Sequence, residues 1–136
     1  MVRKAEGLFQ DSDTYRDPSE FHIEKHFREL VRYERMRAKR SGRPCLLMLL
    51  DIAGLGGAWK NRYVRQIETT LSSVTRETDV KGWWLTGSVI GILFTEIAAP
   101  TSEALIQIEK TIEAKVFAGL RKEMGSAVVE RIALSL

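Results

Sequence analysis

Residues 45–50, Cys-Leu-Leu-Met-Leu-Leu, form the longest unbroken apolar run in the chain, and it ends on Asp51. A run this short and this continuous has the pattern of a β-strand covered on both faces. It is far too short to cross a bilayer. Asp51 would then stand at the strand's C-terminal end.

The segments around that strand fix the element order. Asp17-Pro18-Ser19-Glu20 places a capping carboxylate before proline at a first helical position, with Glu two residues on. Phe27, Leu30 and Val31 follow at helical spacing as one apolar face, and Glu24 and Arg28 make an i,i+4 pair. The helix is expected to end near Ser41-Gly42, with Pro44 beyond. After the apolar strand, Ala53 to Gly57 reads as a loop. Val64, Ile67, Leu71 and Val74 mark the inner face of a second helix over about 58–76. Residues 80–85 and 88–97 read as a hairpin closed by Thr86-Gly87. Pro100-Thr101-Ser102 opens a third helix that turns Leu105, Ile108, Ile112 and Val116 inward and ends near Gly125. The stretch Ala127 to Leu136 reads as a last strand. A helix followed by β-α-β-β-α-β predicts an α+β fold. It is a ferredoxin-like split βαβ sandwich, its sheet containing antiparallel strands with helices on one face, preceded by an N-terminal helix.

The bulk numbers agree with one domain. A chain of 136 residues, 44% hydrophobic and 29% charged, is an ordinary globular composition. We expect residues 1–16 to be a flexible arm or linker and 17–136 a single domain. No signal segment opens the chain, which points to a cytoplasmic setting. The single Cys45, inside an apolar run, reads as a small buried hydrophobe. A net charge of +3 demands neither nucleic acid nor membrane insertion.

From about residue 19 onward the chain resembles the GGDEF domain, the diguanylate cyclase module of bacterial signalling. The likeness rests on three stretches in order: RAKRSGRPCLLMLLDI, then RETD at 76–79, then five residues, then Leu85-Thr86-Gly87-Ser88-Val89 where the family has its signature. The resemblance implies a nucleotide-cyclase-like sheet with the signature on the hairpin turn.

The departures from the pattern bear on chemistry. Cyclisation of nucleoside triphosphates needs metal ions, and two divalent cations need several hard oxygen ligands close together. In the family these come from the first strand's end and the acidic half of the signature. Here Asp51 matches the first, but the turn positions that should be acidic are Gly87 and Ser88, and the second aspartate of the strand end is Ala53. Leu85 and Thr86 stand where paired glycines would let the backbone approach a triphosphate. The family's guanine-gripping segment has no counterpart between Asp51 and Arg76. Asp51, Gly87 and Ser88 are therefore vestigial positions. No catalytic residue, metal or cofactor is assigned, and residual GTP binding or cyclase activity is the remote alternative.

Arg76 and Asp79 match the Arg-x-x-Asp inhibitory site that, in the family, binds cyclic di-GMP. Arg offers a fork of donors to phosphate or guanine, and Asp accepts from guanine donors. The same residues also serve as plain structure, Arg76 at a helix end and Asp79 in an Asx-type turn. Trp83 and Trp84 alternate on one strand, so one enters the core and the other faces out as a candidate interface anchor. The basic run Arg32, Arg35, Arg37, Lys39, Arg40, Arg43 reads as a solvated face. His22 and His26, four apart, lack a third metal ligand. Two readings stand. One is an inactive GGDEF-like regulatory receptor for cyclic di-GMP, docking on a neighbouring signalling domain. The other is a ligand-free interaction or homodimerisation module using the tryptophan hairpin and an exposed sheet. Exopolysaccharide regulation is a setting that the resemblance alone implies.

Overall fold

The computed structural model describes residues 4–5, 7–8, 17, 19–56 and 60–135. The arm expected at 1–16 lies outside these residues, apart from a two-residue pairing of Lys4–Ala5 with Gly7–Leu8. The main elements are α1 (Glu24–Ser41), β1 (Leu46–Asp51), α2 (Lys60–Val74), β2 (Val80–Leu85), β3 (Val89–Phe94), α3 (Ser102–Met124), α4 (Ser126–Val129) and β4 (Ala133–Ser135). The strands form one sheet in the order β2-β3-β1-β4, with each neighbouring pair antiparallel. That order is the split βαβ arrangement expected from the sequence.

Strand alternation divides the apolar residues between two layers. Met48, Leu50, Trp83, Ile90 and Ile92 pack on one face with Val64, Ile67 and Leu71 of α2 and Val116 and Leu120 of α3. The other face is not bare. Phe27 and Val31 of α1 pack on Leu93, with Leu47, Val80 and Trp84 around them. Phe27 lies over a glycine pair that faces across the hairpin, Gly82 opposite Gly91. A Cβ added at Gly82 or Gly91 would fall 2.5 or 2.4 Å from the Phe27 ring. Two absent side chains thus make the hollow in which α1 docks, a use of glycine that strands otherwise disfavour.

The helix ends follow local chemistry. Gly42 closes α1 at φ 75°, a left-handed conformation that glycine adopts at little cost. Thr101 caps α3 by accepting from the Ala104 N–H at 3.0 Å.

Two expectations about elements are corrected. First, α1 begins at Glu24, and residues 20–23 do not form a helical turn. The Asp17 carboxylate accepts from the Ser19 N–H at 2.9 Å and from Trp83 Nε1 at 2.6 Å. His22 runs beside β2: its N–H donates to Lys81 O, and its carbonyl accepts from the Trp83 N–H. Phe21 is buried against Trp83, edge to face, with ring centroids 5.6 Å apart. Docking Phe21 on the core therefore wins over local capping. Second, the segment after Gly125 is not one strand but a helical turn and a three-residue strand. Val129 and Ile132 are both buried. Residues three apart point to opposite faces of a strand, so only a turn brings both inward.

Candidate functional site

The hairpin tip and the end of β1 meet, as the sequence leads one to expect. The Ile52 N–H donates to Ser88 O at 2.8 Å, and Ser88 N–H closes the turn onto Leu85 O at 3.0 Å. Gly87 takes φ 77° between them. The polar groups at this junction have internal partners. Asp51 is exposed, and its Oδ1 accepts from the Ala53 N–H at 2.9 Å. Glu24, from the first turn of α1, accepts from the Thr86 N–H at 2.8 Å and from the Thr86 hydroxyl at 3.0 Å. A protein carboxylate from α1 thus holds the turn's Thr86 N–H. Among the described residues no group of three His, Cys, Asp or Glu side chains is close enough together to hold a metal ion. His22 and His26 lie edge to face, with ring centroids 4.9 Å apart. Burial is the main influence holding the His22 pKa below its ordinary value, with the neighbouring His26 adding to it.

At the opposite end of the hairpin, about 20 Å away by the length of a six-residue strand, the chain builds a different site. Arg76 and Asp79 close a turn between α2 and β2. The Asp79 N–H donates to Arg76 O at 3.0 Å. The Asp79 carboxylate accepts from the Arg76 N–H at 2.8 Å and from Arg76 Nη2 at 2.9 Å. Arg76 Nη2 also donates to Thr95 O at 2.7 Å. The Asp79 side chain is 2% exposed and that of Arg76 is 56% exposed. The hydrogen bond to Asp79 raises the Arg76 pKa further above its ordinary value, so the guanidinium remains cationic. The planar fork is held from below while its outer side meets solvent.

Beside this turn is a cavity of about 260 Å³ bounded by Val74, Phe94, Ile97, Ile108 and Ile112, with Arg76, Asp79, Thr111 and Lys115 as its polar lining. Its walls come from the ends of α2 and β3 and from one flank of α3. The sequence reading named Arg76 and Asp79 but missed Thr95, Thr111, Lys115 and Glu24. Lys115 is exposed and stands three residues after Ile112, so its place at the cavity's edge follows the helical spacing. The Thr95 contribution is a backbone carbonyl, which side-chain patterns do not reveal.

The tryptophans separate as alternation requires. Trp83 is 1% exposed and part of the core, so it is the inward member of the pair and only Trp84 is left as an interface candidate. Trp84 is half-buried. The Arg28 guanidinium lies 4.0 Å from its ring centroid and also donates to its carbonyl, with Nη2–O at 2.6 Å. With α1 over the hairpin, the bare sheet surface expected for an interaction module is covered there.

Comparison with known proteins shows the fold. A diguanylate cyclase (DGC) protein from Thermotoga maritima matches with a TM-score of 0.62 at 14% identity, covering 88% of this chain and 81% of that one. The diguanylate cyclase SiaD from Pseudomonas aeruginosa, solved in complex with its activator SiaC, matches with a TM-score of 0.62 at 19% identity. That match covers 82% of this chain but 42% of SiaD. No family model matches the sequence. No curated protein matches it either. The chain therefore has a GGDEF-like, α+β fold. No helix among the described residues is long and apolar enough to cross a membrane.

Proposed function

We propose that the chain is a regulatory signalling domain on the diguanylate cyclase scaffold that does not cyclise GTP and instead reads cyclic di-GMP through Arg76. The observation that carries this reading is the anchored guanidinium. Asp79 and the Thr95 carbonyl hold Arg76 at a largely apolar cavity whose other cation is Lys115. An arginine fixed in this way loses little entropy on binding; with Nε and both Nη2 hydrogens spent on Asp79 and Thr95, it offers its charge and its Nη1 donors to a phosphate or a guanine acceptor. At about 260 Å³ the cavity is smaller than a typical site for a whole drug-sized ligand. It would take part of the dinucleotide, leaving the remainder on the surface between Arg76 and Lys115. In this reading Asp79 positions Arg76 and is not itself the acceptor for guanine, since its carboxylate already accepts from Arg76 N–H, Nε and Nη2. That SiaD, a protein of the same fold, was solved with a protein activator supports contact with a protein partner as a mode open to this scaffold.

The inactive part of the reading is supported by the hairpin tip. Phosphoryl chemistry on two triphosphates relies on metal ions and positioned donors. Here one carboxylate, Asp51, caps Ala53, and the turn N–H of Thr86 is bonded to Glu24. We expect the purified chain, given GTP and magnesium, to yield no cyclic di-GMP above a protein-free control by chromatography. Product accumulating over repeated turnovers would overturn the inactive assignment.

A further inference from the structure

The fold sorts the cations of α1 and of the turn after it by their partners. Arg37 and Arg43 turn toward acids: Arg37 pairs with Glu34 at 3.2 Å, and Arg43 Nη1 lies 3.8 Å from Glu96. The exposed Arg40 belongs neither with these nor with a second set, which is Lys25, Arg28, Arg32, Arg35 and Lys39. Their spacing of three, four, three and four residues places them in one stripe, about 21 Å long at 1.5 Å per residue. Arg28 is engaged with Trp84 and Glu24. Lys25, Arg32, Arg35 and Lys39 are exposed and make no ion pair among the described residues.

The stripe borders a groove. Toward the start of α1 an opening of about 410 Å³ has Val31 and Trp84 in its lining, and Glu29 is its one acid. Farther along, an opening of about 670 Å³ has Met36, Pro44 and Cys45 in its lining and no acid. Arg32 and Arg35 line both, so the two are continuous along one flank of the helix. Met36 is 55% exposed there, an apolar side chain left in water beside unpaired cations.

We propose that this groove is the docking site for an acidic amphipathic helix of a partner protein. Four cations of the stripe without an ion pair among the described residues call for carboxylates at matching spacing. The exposed Met36, with Pro44 and Cys45 beside it, calls for Leu-like side chains adjacent to them, the pattern by which a helix sits against a shallow surface. A DNA duplex would offer phosphates to the cations but no apolar side chain to cover the exposed Met36. This inference stands apart from the Arg76 reading, since the groove shares no residue with that cavity.

The test uses the full chain and a fluorescein-labelled helical peptide of roughly 16 residues, with glutamates on one face and leucines beside them. Anisotropy is expected to show micromolar, salt-sensitive binding. The double variant R32E/R35E should weaken it by about 10- to 30-fold, as should K25E/K39E, because each replaces attraction by repulsion at exposed sites. Both variants should keep the wild-type melting temperature, since neither removes a buried contact. A peptide with serines in place of the leucines should bind at least about 10-fold more weakly, for the lost apolar burial. The proposal is overturned if the peptide does not bind, if the leucine-free peptide binds equally, or if neither double variant weakens binding. It is overturned too if anionic phosphatidylglycerol vesicles or duplex DNA bind more tightly than the peptide.

Discussion

Phe27→Ala is expected to lower the unfolding free energy by about 3–5 kcal/mol, the cost of deleting a fully buried aromatic side chain. The size follows from what the ring fills. Phe27 is 0% exposed and sits over Gly82 and Gly91, which offer no side chains that could move into the space. The cavity would therefore persist, and persistent cavities carry the largest penalties. The damage should also be local in a telling way. Besides Val31, Phe27 is the principal buried residue of α1, so its loss frees the helix and with it the Glu24 bond to Thr86. Chemical denaturation measures the stability loss, and amide exchange should show α1 and the hairpin tip losing protection together. A loss below about 1 kcal/mol would mean that the surroundings collapse onto the site and that the glycine pair does not set the docking of α1.

Asp79→Ala should cost about 2–3 kcal/mol, because hydrogen bonds to a charged group outweigh neutral ones and a buried acceptor is lost outright. The carboxylate accepts from the Arg76 backbone N–H at 2.8 Å as well as from its side chain, so truncation leaves a donor at the end of α2 without its partner. The Coulombic part counts for less, since the Arg76 side chain is 56% exposed and its charge is screened. Asp79→Asn, which retains one acceptor oxygen, should lose only about half as much. Urea titrations of the two variants provide the measurement. Equal losses would show that shape, rather than charge-assisted acceptance, holds the turn. The same truncation releases Arg76, so it should weaken any ligand held by that guanidinium without removing the donor itself.

The fold was legible where periodicity and punctuation agreed. The α1 terminus at Gly42, the inward positions Val64, Ile67 and Leu71, the hairpin and the start of α3 after Pro100-Thr101 were all readable from spacing and turn residues. It was not legible where a distant contact overrode a local signal. Asp17-Pro18-Ser19-Glu20 carries the marks of a helix start, yet Phe21 and His22 are drawn onto β2 by the Trp83 ring and backbone. The covering of the second sheet face depended on a void created by Gly82 and Gly91, and a missing Cβ leaves no mark in a hydrophobic pattern. At the candidate site, the Arg-x-x-Asp spacing placed Arg76 and Asp79 together. It could not show that Asp79 is spent on Arg76 while the guanidinium faces out, because that division depends on which side chain the turn buries. Nor could composition separate the paired cations of α1 from the unpaired ones, since Glu96 lies far along the chain from Arg37 and Arg43.

The central claim is that Arg76, anchored from behind, gives this scaffold a receptor site in place of a catalytic one. Isothermal titration of the wild-type chain and Arg76→Ala with cyclic di-GMP tests it most directly. The account predicts a dissociation constant in the micromolar range or tighter for the wild type, and a loss of at least about 100-fold when the anchored cationic donor is removed. No heat from the wild type, or the same affinity in both proteins, would contradict it.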